Sequence, residues 1–323
     1  MTGDEHSELA LPPRSSAPQR WDATVAEAKY YWYDLLVNDP QVPDFRDPIG
    51  RYQRRMQFAI DGTMEKRLLF FLVARERLRF DVKKATSWGF FSLKLSVPLL
   101  IGKDERKHTI SIELKPPFEA TFKKPLIQMQ DKYLSLNWGS ITEVYSVHDL
   151  IQQFDTDLDF PSKILMVGQT RDPAAKLAKG RHLHVNRLCE EVEADHDCFL
   201  LIKRMNVAVD TVAIEAHEEA SARTHIDVLE SALIRYFEGE KPRGHSTIEQ
   251  STREERLREL VETYQLEKLT IDLGFKDADR FHDLASAHTA QSRRHLMDCK
   301  FPDGAVAITP LPDNSRPLVS LEH

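Results

Sequence analysis

Between Leu68 and Trp138 the chain alternates apolar and polar residues with a period of two. Phe80-Asp-Val82, Leu93-Lys-Leu95-Ser-Val97, Ile110-Ser-Ile112-Glu-Leu114 and Leu134-Ser-Leu136 each place greasy side chains on one face only. Lys103-Asp104-Glu105-Arg106-Lys107 separates two of these runs as a charged turn. This pattern predicts an antiparallel sheet with one wet face. Before it, Val25, Ala28, Trp32, Leu35 and Leu36 recur at helical spacing behind a capping Asp22, which predicts a helix over 22–37. Asn38 to Pro48 reads as a Pro-containing loop, and Arg51 to Leu69 shows no clear period.

Beyond residue 138 strands and helices alternate. Ile141 to Val147 reads as a strand, Ser146 to Phe154 as a short helix, and Asp155 to Pro161 as an acidic loop. Ile164-Leu-Met-Val167 and Phe199-Leu-Leu-Ile202 read as buried strands. Helices are predicted from Asp172, over 219–237, 252–263 and 277–297, before a Pro-rich tail at 300–320. The expected fold is mixed α+β or α/β. Its expected layout is a disordered leader at 1–20, a β-rich antiparallel domain at 21–138 carrying the N-terminal helix, and a small α/β domain at 139–245. C-terminal helices at 246–299 and a tail at 300–323 would follow, with Leu321-Glu322-His323 read as a tag remnant.

Composition narrows the class. A chain of 323 residues is long for one core. No apolar stretch approaches the roughly 20 residues of a membrane span, and the longest, Leu68 to Ala74 and Val97 to Ile101, are strand-sized. Cys189, Cys198 and Cys299 are too scattered for a disulfide framework or a structural zinc, so a reducing, cytoplasmic setting is expected. The net charge of -7 argues against wholesale coating by nucleic acid but leaves room for a local basic groove.

The most informative stretch is Lys163-Ile-Leu-Met-Val-Gly-Gln-Thr-Arg-Asp-Pro-Ala-Ala-Lys-Leu177, an apolar strand running into Gly168, a polar turn (Gly168, Gln169, Thr170) and a helix start. It has neither the second glycine and Lys-Ser/Thr of a P-loop nor a GxGxxG fingerprint. It resembles the second signature strand of the GIY-YIG nuclease superfamily, with Met166-Val167-Gly168-Gln169-Thr170 on the strand and Lys176-Leu177 in the register of that family's arginine-leucine pair. Met166 stands where the family has tyrosine, and Lys176 where it has arginine. The plainer reading is a glycine that turns a strand into a helix in some other α/β fold.

A second point of resemblance is Glu230-Ser-Ala-Leu-Ile-Arg-Tyr-Phe237, which is similar to the family's metal-binding glutamate helix. Independently, Glu230 falls inside the apolar stripe of Ile226, Leu229, Leu233, Ile234, Tyr236 and Phe237, whereas Asp227 and Arg235 fall off it. A carboxylate there requires a cation or donors. A buried ion pair meets that need as well as a metal does.

The resemblance covers about residues 141–245. It implies a metal-dependent endonuclease acting on DNA or RNA phosphodiesters, a hydrolase with Glu230 holding Mg²⁺ or Mn²⁺, Tyr145 as base, Lys176 on the phosphate and His182 near the family's histidine. A nucleic-acid face of Lys163, Arg171, Lys179, Arg181 and Arg187, opposed only by Asp172, fits that chemistry, as does an ordinary solvated helix surface. Arg75, Arg77 and Arg79 with Lys83 and Lys84 suggest a second basic patch or a charge-protected edge strand. His182 and His184, with Asp195-His196-Asp197 downstream, form a weaker metal candidate. The departures at Met166 and Lys176 open the alternative of an inactive module of the same fold. It would bind nucleic acid or a partner protein, alone or as a homo-oligomer, in a larger assembly. A bacterial defence or mobile-element setting suits either reading.

Overall fold

The computed structural model describes residues 14–33, 47–61, 68–90, 92–117, 124–154, 156–158, 160–170, 183–211, 219–242, 245–274 and 283–312. In chain order the elements are β1 (Gln19–Trp32), α1 (Pro48–Asp61), β2 (Leu68–Glu76), β3 (Leu78–Phe80), β4 (Ser87–Trp88), β5 (Lys94–Ile101), β6 (Arg106–Glu113), β7 (Leu126–Met129), β8 (Tyr133–Asn137) and β9 (Thr142–Ser146). These are followed by α2 (Val147–Gln153), β10 (Ser162–Thr170), α3 (Leu183–Val192), β11 (His196–Thr211), α4 (Glu219–Glu238), α5 (Thr247–Tyr264), β12 (Leu266–Asp272), β13 (Leu284–Ala285), β14 (Leu296–Lys300), a 3-10 turn (Pro302–Gly304) and β15 (Ala307–Pro310). The mixed α/β class is as expected. None of the described helices is long and apolar enough to cross a membrane.

The principal sheet has eight strands in the order β13-β10-β2-β11-β1-β12-β14-β15. Only the β1/β12 and β10/β13 pairs are parallel. The sheet crosses the boundary expected at residue 138, because β1 and β2 are hydrogen-bonded beside β11. β2 lies between β10 and β11 and is buried on both faces, which is why Leu68–Ala74 reads as a continuous apolar run. Leu69, Phe71 and Val73 face the cluster that includes α4 and α5 residues. Leu68, Phe70 and Leu72 face the cluster that includes Val185, Leu188 and Cys189 of α3. Two smaller sheets hold β3, β4, β5 and β6, and β7, β8 and β9, matching the alternation read between residues 68 and 138.

Several expectations are overturned. Residues 22–32 form strand, not helix, and β1 starts at Gln19, inside the stretch read as a disordered leader. A bulge explains the misleading spacing. Opposite β11 the register slips between Val25 and Glu27, so Trp21, Ala23 and Val25 before it share a core with Ala28, Tyr30 and Trp32 after it. The slip converts a period of two into steps of three and four, which imitate a helix.

The helix expected over 277–297 is replaced in its described part by β13, a turn and the start of β14. There the Ser286 hydroxyl accepts from the His288 and Thr289 backbone N–H groups and competes with helix hydrogen bonding. The tail includes a paired edge strand, β15. The unassigned stretch near Arg51 is α1. Its start is marked by Asp47, whose carboxylate accepts from the Ile49 and Gly50 N–H groups, followed by Pro48 at the first helical position.

Gly168 is not a turn. It lies within β10 opposite Phe70, and the strand runs on to Thr170. A Cβ at this position would sit 2.6 Å from the Phe70 ring, so glycine is required by close packing across the sheet.

Candidate functional site

The site forms where α4 lies along β10. β13 pairs with β10 only at Ser162 and Lys163, so the rest of that edge has no strand partner among the described residues. Side chains take its place. The Val167 N–H donates to Glu238 Oε1 at 2.8 Å, and His245 Nε2 meets the Val167 carbonyl at 3.0 Å. With Nε2 donating, His245 Nδ1 accepts from Arg253 Nη1 at 3.3 Å. The strand edge therefore fixes one imidazole tautomer, and that imidazole holds an α5 guanidinium.

Beside this edge, Gln169 donates from Nε2 to Asp227 Oδ1 at 2.8 Å and to Glu230 Oε2 at 2.9 Å. One amide thus joins two carboxylates a helical turn apart on α4. Arg256 of α5 approaches Asp227 Oδ2 at 3.8 Å and Glu259 at 3.4 Å. Glu230 is buried. Burial raises its pKa above the usual carboxylate value, as does the Asp227 charge, outweighing the nearby Arg253 and His245 and the Gln169 hydrogen bond, which act to lower it. His184, at the start of α3, lies close enough to Glu249 of α5 to lower its carboxylate pKa, though the backbone and hydroxyl of Ser246 contribute more against desolvation.

Several of the residues singled out from the sequence lie side by side here. Gly168, Gln169, Thr170 and Glu230 come from adjoining elements, and Glu230 does meet a strand residue of the glycine segment. Asp227, read as a surface charge, is instead part of the site. His245, Arg253 and Arg256 were not singled out from the sequence, although Arg253 and Arg256, three residues apart on a capped helix, give a visible common face.

Other expected residues lie elsewhere. Tyr145 is on β9 of the three-stranded sheet, with its ring on Phe154 and its hydroxyl raised to about 12 by burial and Glu143. Lys163 is at the opposite end of β10, six residues or about 20 Å of strand from Gln169. Arg187 is an exposed α3 side chain facing Glu191. Lys176, His182, Arg171, Lys179 and Arg181 fall outside the described residues.

No tyrosine stands across β10 from the glycine segment. The partners of Gly168, Gln169 and Thr170 are Phe70, Leu69 and Leu68, and Phe71 faces Val167. Met166 belongs to the cluster with Phe70 and Leu72, on the α3 side of the sheet. A divalent ion at Glu230 would confront Arg253 and His245 with only Asp227 as a second carboxylate. Among the described residues no three His, Cys, Asp or Glu side chains converge on a common metal position. Among the described residues Glu230 and Asp227 are the carboxylates on offer there, whereas Mg²⁺ and Mn²⁺ favour several oxygen ligands.

Two arginines of the expected basic patch, Arg75 and Arg79, are turned inward, while Lys83 and Lys84 are exposed. Arg79 Nη1 reaches both Asp197 oxygens at 2.8 and 2.9 Å, and Arg75 donates to the Phe160 carbonyl at 2.7 Å. Asp197 also accepts from His148 Nε2 at 2.7 Å and the Leu78 N–H at 3.1 Å. Burial tends to raise the Asp197 pKa, but His148, Arg79 and the Leu78 amide together hold it below the usual value. Burial likewise dominates at His148, whose pKa is lowered despite Asp197. His196 and Asp197 do not join His184 in a metal site.

Compared with known proteins, the chain matches no family model, no curated protein and no solved structure.

Proposed function

We propose that this chain is a nucleic-acid-binding module built on a GIY-YIG-like core that does not hydrolyse its ligand. The observation that carries the reading is the contact of Glu230 with Gln169, at the place the resemblance implies, combined with Phe70 and Phe71 on the strand facing that segment. The carboxylate helix stands beside the glycine strand, but no tyrosine among the described residues pairs with that strand, and burial keeps the acid's pKa raised despite Arg253 and His245. Phosphodiester hydrolysis needs an activated water and a stabilised leaving group, and these neighbours supply neither. What they do supply is a pair of half-buried guanidiniums, Arg253 and Arg256, on one turn of α5, whose planar forks suit phosphate oxygens.

The test is to mix the full chain with plasmid, single-stranded and duplex DNA and RNA in the presence of Mg²⁺ or Mn²⁺. The expected result is retention that weakens steeply with added salt, with the nucleic acid left intact. Cleavage that disappears in Glu230→Ala, with the fold retained, would replace this reading with a metal-dependent endonuclease. An absence of any nucleic-acid binding would overturn both.

A further inference from the structure

β12 pairs with β1 only over Gln19–Thr24. From Val25 to Trp32 that edge of β1 has no strand partner among the described residues, and α1 stands beside its far end. Between them is a groove of about 480 Å³ lined by Lys29, Tyr30, Trp32, Tyr52, Arg55 and Phe199 among others. Because the groove runs along a strand edge, side chains of both parities line it, including Tyr31.

Its wall is aromatic and held in place. Tyr30 donates to Asp149 Oδ1 at 3.0 Å, and Tyr52 donates to Oδ2 of the same carboxylate. Asp149 Oδ2 also accepts from the Ser146 N–H at 3.4 Å as part of the α2 capping box. This acid is thus engaged by donors on both oxygens. Trp32 packs on Phe199 at 5.8 Å.

The rim is cationic. Arg55 is exposed with its guanidinium 5.9 Å from the Tyr52 ring, and Lys29 is exposed beside Glu27 at 2.8 Å. Arg51, one turn before Arg55, is exposed as well.

We propose that this groove is a contact site for single-stranded nucleic acid. It takes an unpaired nucleobase against the half-buried Tyr30 and Tyr52 rings, with Trp32 buried behind them, and the adjoining phosphate sits on Arg55 and Lys29. Aromatic faces beside guanidiniums hold a strand without reading its sequence, and a base paired within a duplex cannot present its face to them. The inference rests on the reading that the chain engages nucleic acid, and it adds the form of the ligand and a location separate from the Glu230 site.

The test uses the full chain with a labelled oligothymidylate, a duplex of equal length and thymidine monophosphate. In the Lys29→Glu, Arg55→Glu double variant, single-strand affinity should fall at least about tenfold while duplex affinity changes less than about twofold. Both positions are exposed, and an unchanged melting temperature verifies the fold. Single-strand affinity unaltered in the double variant would overturn the site. Monophosphate competing as well as the strand would overturn its assignment to a strand. Duplex binding without single-strand binding would sink this inference alone. Failure to bind any nucleic acid would sink the functional reading with it.

Discussion

At the scale of single residues, Glu230 is a buried acid that accepts from the Gln169 amide and lies near Arg253 and His245. The Gln169 amide and the neighbouring Arg253 and His245 soften its desolvation but do not cancel it, so its pKa remains raised. The sign of the linkage follows. Below the ordinary glutamate value of 4.5 the group is neutral whether folded or unfolded and costs nothing. As pH rises the unfolded chain releases its proton first, and stability falls until the folded group ionises too. Glu230→Gln removes this dependence. Urea unfolding of both proteins at pH 4 and pH 7 should show the variant gaining on the wild type at the higher pH. A difference that does not vary with pH would mean that the carboxylate is ionised in the fold without penalty.

At the scale of elements, β10 is shaped by close packing on one face and by side-chain capping along its edge. Gly168 admits the Phe70 ring, and Gly168→Ala forces a Cβ within 2.6 Å of it. The expected loss is about 1–3 kcal/mol by denaturant unfolding, the range for overpacking a closed core. Adding Phe70→Leu should recover part of that loss, because the two changes share one space. A double variant whose loss is the sum of the two single losses would show that the glycine answers to something other than the ring. The segment's chemistry was legible in sequence, but its conformation was not. A glycine after an apolar run marks a turn and a close approach equally well, and only the ring of a residue 98 positions earlier distinguishes them. The β1 bulge hid a strand for a related reason. One extra residue moved the core face to the other parity and left a spacing indistinguishable from helical.

At the scale of the whole molecule, the Asp197 carboxylate connects the three sheets. It lies on β11 and receives Arg79 of β3, in the second sheet, and His148 of α2, which follows the third. Asp197→Ala would leave the Arg79 guanidinium, 11% exposed, without its close carboxylate, holding the Leu78 carbonyl at 2.6 Å and the more exposed Asp131 at 3.3 Å. A loss of about 3–5 kcal/mol is expected by chemical unfolding, as for a broken buried pair. Since the Asp197 pKa is lowered, its contribution is complete above 3.8 and disappears as pH falls through the folded value. The wild type and Asp197→Ala should therefore converge on acidification, and equal stability at neutral pH would show that the cluster contributes nothing.

The sequence by itself determined what depends on near neighbours. It carried the alternating strands between residues 68 and 138, the capped helix after Ser146, the α4 and α5 helices, and an acid within an apolar stripe that had to find partners. Turn chemistry, periodicity and desolvation act within a few residues, so they are written locally. Only the tertiary structure decided that β1 and β2 join β10 and β11 in one sheet, that Arg75 and Arg79 lie inside, that Phe70 and Phe71 face the glycine segment, and that Tyr145 lies in another sheet. Each of these depends on which distant strand pairs with which, and pairing over such separations is set by the fit of whole faces and leaves no mark on the residues nearby.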